Sequence, residues 1–251
     1  MEAGSDEAAG ACAVVVAGNG SVDDVKRCLT SLGLVGEVVL VAGDPAPAEL
    51  PGARVIDLGE RLGRPAAVNR AVVTLGPEVA FVLVTEVGLT WDDDAVAALR
   101  AAARDTPRAG ALVPRLEGSS PAPALPGRWV GDALLARLAP DVVTPPADLP
   151  GPAVLLRRAA LESVGGWDAR LAAPFADLDL ARRLDEAGWL RVAVPSARAV
   201  RDAVPDVPES PAERHAAARR TVGGGPRGIA ARALLAARGA GAAGRAGRPA
   251  G

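Results

Sequence analysis

The sequence predicts an α/β domain with a mostly parallel central sheet and helices on both faces. Three observations lead there. Short aliphatic runs such as "ACAVVVAG" and "VAFVLVTE" lack the polar alternation of a half-exposed strand, so both of their faces should be buried. Segments of helical periodicity separate these runs, the order of a parallel sheet covered on both sides. The third is size: 251 residues, 49% of them hydrophobic, are sufficient to fill one sizeable core.

In chain order, "ACAVVVAG" is the first strand, and "SVDDVKRCLTSLG" the first helix, with Val22, Val25, Leu29 and Leu32 at helical spacing. "GEVVLVAGDPAP" and "ARVIDLG" supply two more strands. "GRPAAVNRAVVTLG" restores helical character and stops at Gly76, and "VAFVLVTE" is a fourth strand. "WDDDAVAALRAAARD" reads as a helix with three acids in its first turn and arginines later, as the helix dipole favours. Asp92, Asp93 and Asp94 are consecutive and cannot all face one ion, so they read as a solvated turn rather than a metal cluster. "AGALVPRL" is a fifth strand. From Glu117 to Pro150 the texture turns Pro-rich and irregular, a long excursion from the sheet. "GPAVLLRRAALESVGGW" resumes with a strand and a helix ending at Gly165. "DLDLARRLDEAG" is a helix with Leu180 and Leu184 on one face and Gly188 at its end, and "LRVAVP" is a last short strand.

Composition excludes several function classes. The net charge of −2 argues against a protein built to track nucleic-acid phosphates. Cys12 and Cys28 are too few for a disulfide scaffold and read as small core residues in a reducing, cytoplasmic setting. No stretch approaches the roughly 18 to 20 apolar residues of a membrane span. "MEAGSDEAAG" reads as a flexible leader without the pattern of a secretory signal. The glycines of "VAGNGS" lack the third member of a dinucleotide fingerprint. His215, the single histidine, falls on an expected exposed helix and gives a Ser-His-Asp hydrolase no support. The tail from Gly223 is low-complexity Gly, Ala and Arg, expected to be disordered apart from a short cationic helix in "PRGIAARALLAAR" able to touch an anionic membrane.

Taken in order, six fragments resemble the family 2 glycosyltransferases of the GT-A fold, in particular their bacterial rhamnosyltransferase-like branch. They are "AVVVAGNGSVDDVKRCLTSL", "GEVVLVAGDP", "GRPAAVNRAV" with Gly63, Ala67 and Asn69 in place, "AFVLVTEVGLTWDDDAV", "GPAVLLRRAALESVGGWDARL" and the stretch around "DLDL". The likeness covers roughly residues 12–202. It implies a GT-A-like domain over 12–222, divided into a nucleotide-sugar half (12–116), the Pro-rich excursion (117–150) and an acceptor half (151–222), between the leader (1–11) and the basic tail (223–251). It also implies transfer of a sugar, with inversion, from a nucleotide-diphosphate donor to a glycan or lipid-linked acceptor, in cell-wall or polysaccharide synthesis at the inner face of the membrane.

Inverting transfer needs a base for the acceptor hydroxyl and a charge sink for the departing diphosphate. The resemblance implies Asp177 as the base, with Ala176 where the family has Glu. It places Gly18, Asn19, Asp44, Asn69 and Arg201 on the donor side, and Trp167 and Asp168 toward the acceptor. A divalent cation, Mg or Mn, commonly serves as the sink, yet Val84, Thr85 and Glu86 stand in place of Asp-x-Asp, leaving Glu86 as the single candidate ligand. Ala42 replaces the nucleotide-binding aspartate, and Arg201 the histidine after the last strand. Two readings follow. In one, Arg201 or a neighbouring arginine takes over part of the metal's work. In the other, the donor site has decayed and the domain binds a glycan, nucleotide or partner without turnover. Asp177 and Asp179 also fit a plainer role as first-turn acids, Asp179 pairing with Arg183 at i,i+4. Trp129, Trp167 and Trp189 fit sugar stacking and core burial equally.

Overall fold

The computed structural model describes residues 11–17, 21–33, 37–42, 53–57, 62–118, 134, 137–138, 150–171, 175–201, 218–219, 222 and 225–246. Its strands are β1 (Ala11–Ala17), β2 (Val38–Ala42), β3 (Arg54–Asp57), β4 (Val79–Glu86), β5 (Leu89–Trp91), β6 (Ala109–Glu117), β7 (Ala153–Arg157) and β8 (Leu190–Arg201). The helices are α1 (Val22–Leu32), α2 (Arg64–Val72), α3 (Ala95–Asp105), α4 (Arg158–Ser163), α5 (Phe175–Glu186) and α6 (Gly225–Ala246). One sheet runs in the order β3-β2-β1-β4-β7-β6-β8-β5. β7 lies antiparallel between β4 and β6, and β5 antiparallel to β8, while the remaining strands share one direction.

Both faces of the sheet are covered, which is why its central strands carry apolar residues without a polar partner face. Val82 and Val84 of β4 pack on one side with Val154 and Leu156 of β7, beneath α2, α4 and α5. Phe81 and Leu83, with Ala153 and Leu155, pack on the other, beneath α1 and α3. α1 is started by a reciprocal cap: Ser21 Oγ accepts from Asp24 N at 3.1 Å, and Asp24 Oδ2 accepts from Ser21 N at 3.0 Å. α2 opens on Gly63 with Pro65 in its first turn, where a missing N–H costs nothing.

Four elements differ from the sequence reading. β5 is a three-residue strand that the reading missed. β8 is twice the length of "LRVAVP", because a bulge lets it continue: the register passes from Pro114↔Val194 to Arg115↔Arg198, so Pro195 sits where no ladder donor is needed. α3 starts at Ala95, one turn later than expected; Asp92 and Asp93 precede it, exposed, and Asp94 is its N-cap. The largest change is at the tail. It forms a 22-residue helix whose Ala231 and Leu235 are fully buried in the core beside Ala218 and Val222. Arg232 ties it down by donating to the Val222 carbonyl at 2.7 Å. Small alanines allow close approach, and two turns of contact anchor a helix whose composition reads as disordered. No helix among the described residues is long and apolar enough to cross a membrane. The Pro-rich excursion between Gly118 and Pro150, Trp129 and His215 fall outside the described residues, save 134, 137 and 138.

A docked tail makes a testable contrast. Leu235→Ala should cost about 2–5 kcal/mol of stability in urea unfolding, and Ile229→Ala, on the exposed face at 67% exposure, less than about 0.5 kcal/mol. Equal, small effects at both would mean an undocked tail.

Candidate active site

The carboxyl ends of the parallel strands carry the site. In open α/β sheets ligands lie in that crevice, where strand order reverses. Here the reversal falls between β1 and β4: β2 and β3 lie to one side of β1, and β4 to the other. Ala17, the last residue of β1, is level with Glu86, the last of β4. Of the three residues replacing an Asp-x-Asp, only Glu86 is available there. Val84 is core, and Thr85 is fully buried on the opposite face, where its Oγ1 accepts from Trp91 Nε1 at 3.1 Å.

Asp177 sits in the first turn of α5 and is 2% exposed. Its Oδ1 accepts from the indole Nε1 of Trp167 at 3.0 Å, and its Oδ2 accepts from Nη2 of Arg64. Arg64, the first residue of α2, also donates from Nη1 to the Gly151 carbonyl at 3.2 Å and holds Nε 2.8 Å from Glu86 Oε1. The Nε contact lacks hydrogen-bond geometry, so it acts as an ion pair. The other oxygen of Glu86 accepts from Nη2 of Arg201, the last residue of β8, at 3.0 Å. A continuous string therefore runs Trp167, Asp177, Arg64, Glu86, Arg201 across five segments of chain. Two carboxylates meet two guanidiniums, and exposure rises along it: the side chains of Asp177 and Arg64 are at 3% and 7%, those of Glu86 and Arg201 at 27% and 28%.

Burial pushes the Asp177 carboxyl above its ordinary range; Arg64 and Trp167 oppose this by favouring the charged form, and the Glu86 charge adds to it. For Arg64, burial pulls the other way, but Asp177 and Glu86 together raise it above its ordinary value. Arg64 thus stays charged, and the group in the buried half able to exchange a proton is Asp177.

Asn69, expected on the donor side, gives both ends of its amide to one residue. Its Nδ2 donates to the Trp167 carbonyl at 2.8 Å, and its Oδ1 accepts from the Trp167 N–H at 3.1 Å. The clasp requires glycine next door: Gly166 has φ +75°, and a Cβ there would lie 2.6 Å from Asn69 Oδ1. Trp167 is 2% exposed, so its ring fills the core and its N–H orients Asp177. Asp179 pairs with Arg183 at 2.7 Å, and Arg183 in turn donates to the carbonyls of Val164 and Gly166, closing the end of α4. Asp168 accepts from the backbone N–H and side chain of Arg170; those bonds hold its carboxyl at about 2. Beside it lies an open groove of about 400 Å³ lined by Trp167, Asp168, Arg170, Asp179 and Arg183. Gly18, Asn19 and Asp44 lie outside the described residues.

A hard divalent ion wants several free oxygen ligands. Both Glu86 oxygens face guanidiniums, both Asp177 oxygens are engaged, and among the described residues no three acidic, histidine or cysteine side chains come together. The described residues of the site do not fit such an ion. Arg64 is the residue that the sequence reading missed. Its signal was a cation at a helix N-terminus, against the dipole and with no acid in that turn. Such a placement requires carboxylates from elsewhere in the fold.

No protein-family model matches the chain. The N-acetylglucosaminyl-diphospho-decaprenol L-rhamnosyltransferase of Mycobacterium tuberculosis is 32% identical to it over 235 residues, covering 77% of this chain and 76% of that protein. Among solved structures, the mannosyltransferase PcManGT from Pyrobaculum calidifontis, in complex with GDP-Man and Mn2+, superposes with a TM-score of 0.56 at 18% identity, over 96% of this chain and 76% of that one. GalNAc-T7 with UDP, GalNAc and Mn2+ gives 0.60 at 14% identity, over 84% and 48%. At these identities the two structures speak to the fold.

The Asn69 clasp predicts a coupled pair. Asn69→Ala and Gly166→Ala should each cost about 1–3 kcal/mol in urea unfolding, and the double variant clearly less than the sum. Strict additivity would contradict the clasp.

Proposed function

This chain belongs to the family 2 glycosyltransferases of the GT-A fold, and we propose that it transfers an L-rhamnosyl group from a nucleotide-diphosphate donor to a lipid-linked glycan, with Asp177 as the base. The sugar and the acceptor class follow the mycobacterial relative, whose name carries both. The observation that carries the role of Asp177 is its buried carboxylate at the carboxyl edge of the sheet, oriented by Trp167 and Arg64.

In the proposed reaction the acceptor hydroxyl approaches the anomeric carbon from the side opposite the diphosphate. Asp177 takes its proton as the new C–O bond forms. The bond to the diphosphate breaks with its electron pair, and the configuration inverts. A carboxylate whose burial raises its proton affinity is a stronger base than an exposed aspartate. Trp167 acts by fixing that carboxylate, and Asn69 by fixing Trp167. Asp168, on the rim of the groove, is the proposed acceptor contact. Gly18, Asn19 and Asp44 are proposed donor contacts, joined by Arg201. Arg201 is the more exposed guanidinium of the string and suits a developing negative charge.

A lipid-linked acceptor calls for a membrane contact, and α6 is the element we assign to it. From Arg214 onward the chain carries eight arginines and no acid, and Arg227 and Ile229 are exposed on α6. Such a face suits an anionic bilayer.

Asp177→Asn should lower transfer by about 10²–10⁴-fold while nucleotide affinity changes little; full retention would end its assignment as base. In the unaltered enzyme kcat/KM should fall as pH drops through the raised Asp177 value, because protonation removes the base. The acid limb should therefore lie above about 4, the ordinary aspartate value. For the membrane contact, the chain should co-sediment with phosphatidylserine-containing vesicles and not with phosphatidylcholine alone. That binding should weaken at about 1 M salt, and binding indifferent to lipid charge would count against it.

A further inference from the structure

We propose that Arg64 and Arg201, both gripped by Glu86, are the resident cations of this site, so that the Arg201 guanidinium receives the donor's diphosphate, Arg64 holds the carboxylates, and transfer proceeds without a divalent ion. This rests on the glycosyl-transfer reading above, and it goes beyond it by assigning the charge sink. Arg64 is a positioning residue, and Arg201 the phosphate contact.

Three observations carry the proposal. Glu86 is the one carboxylate at the end of β4, and each of its oxygens faces a different arginine. Charge is already balanced, two carboxylates against two guanidiniums, so a divalent ion added there would meet two fixed positive groups and no spare oxygen. Second, Arg64 has nowhere to go. Its side chain is 7% exposed and bound to Asp177, Glu86 and the Gly151 carbonyl, and its departure would leave Asp177 buried and unpaired. Third, Arg201 is only half used. Nη2 holds Glu86, while its Nε is buried without a hydrogen-bond partner. A diphosphate oxygen would satisfy that donor, and a planar guanidinium can offer two parallel N–H groups to one phosphate.

The division of labour has a consequence that a merely structural ion pair would lack. Arg64 occupies the space between two carboxylates from different elements. Removing it leaves Glu86 and Asp177 facing a vacated position, the beginning of a cation site. A variant that loses its arginine should gain affinity for a divalent ion.

The test uses the full chain freed of metal by chelation, with Mn2+ followed by the EPR signal of the free ion and inorganic pyrophosphate followed by calorimetry. Expected for the unaltered protein are no saturable Mn2+ binding below about 1 mM, pyrophosphate binding unchanged by EDTA, and transfer unchanged by EDTA. Arg201→Ala should weaken pyrophosphate at least about tenfold, as loss of a charge-assisted pair implies. Arg64→Ala should tighten Mn2+ at least about tenfold as one oxygen of each carboxylate becomes free. Saturable Mn2+ binding by the unaltered protein, pyrophosphate binding that requires Mn2+, or a folded Arg64→Ala chain with no gain in Mn2+ affinity would each overturn the proposal. Should Arg64→Ala fail to fold, the unaltered protein and Arg201→Ala decide it. Absence of transfer with every donor, alongside the expected Mn2+ and pyrophosphate results, would remove the transfer reading and leave the cation assignment standing.

Discussion

A single buried guanidinium, that of Arg64, lies between two carboxylates contributed by elements far apart in sequence. Taking such charges out of water costs several kcal/mol per ion, and only near-complete pairing offsets it. The start of α2, the end of β4 and the start of α5 must therefore hold one mutual geometry, since a shift of any one strands a charge. Asp177 is the member with most to lose: at 2% exposure it has Arg64 on one oxygen and Trp167 on the other. Trp167 is held in turn by Asn69, which clasps its main chain from α2. Two residues of one helix, Arg64 and Asn69, thus set the position of the Asp177 carboxylate, the proposed base, one directly and one through Trp167.

The sheet explains why these groups converge. Parallel strands end together, and the place where β1 and β4 diverge in connection opens a crevice at their carboxyl edge. β7 runs the opposite way between β4 and β6, so the chain enters it at that edge, and the Gly151 carbonyl falls within reach of Arg64. From there the site grades from a dry interior at Asp177 to a half-exposed rim at Arg201. A proton acceptor gains from the dry end, where burial raises its affinity for the proton. Arg201, the proposed contact for the charged leaving group, lies at the half-exposed end.

Much of the architecture was legible because sheet burial leaves a plain signature. Val82, Leu83 and Val84 in succession, all fully buried, cannot belong to a one-sided strand. The helix that carries Asp177 was legible through its flanks, the Gly165–Asp168 run before it and the leucines after it. Arg64 was not, because its meaning comes from residues up to 113 positions away; a local reading sees only an arginine beside a proline. The clasp of Asn69 on Trp167 was not legible either, since its partner, the main chain of Trp167, has no side-chain signature. The tail misled for the opposite reason. Its alanines and arginines look too poor to pack, yet Ala231 and Leu235 find a complementary surface at Ala218 and Val222. β5 is too short for any periodicity, and β8 hides its second half behind the Pro195 bulge.

The physical claim on which the account rests is that the space between Glu86 and Asp177 is filled by the Arg64 guanidinium when the donor's diphosphate is bound. Crystals grown with inorganic pyrophosphate and Mn2+, and measured at the manganese absorption edge, test it directly. The account predicts no anomalous peak between those two carboxylates, Arg64 in place, and diphosphate oxygens on Arg201. A manganese peak there, with Arg64 displaced, would contradict it.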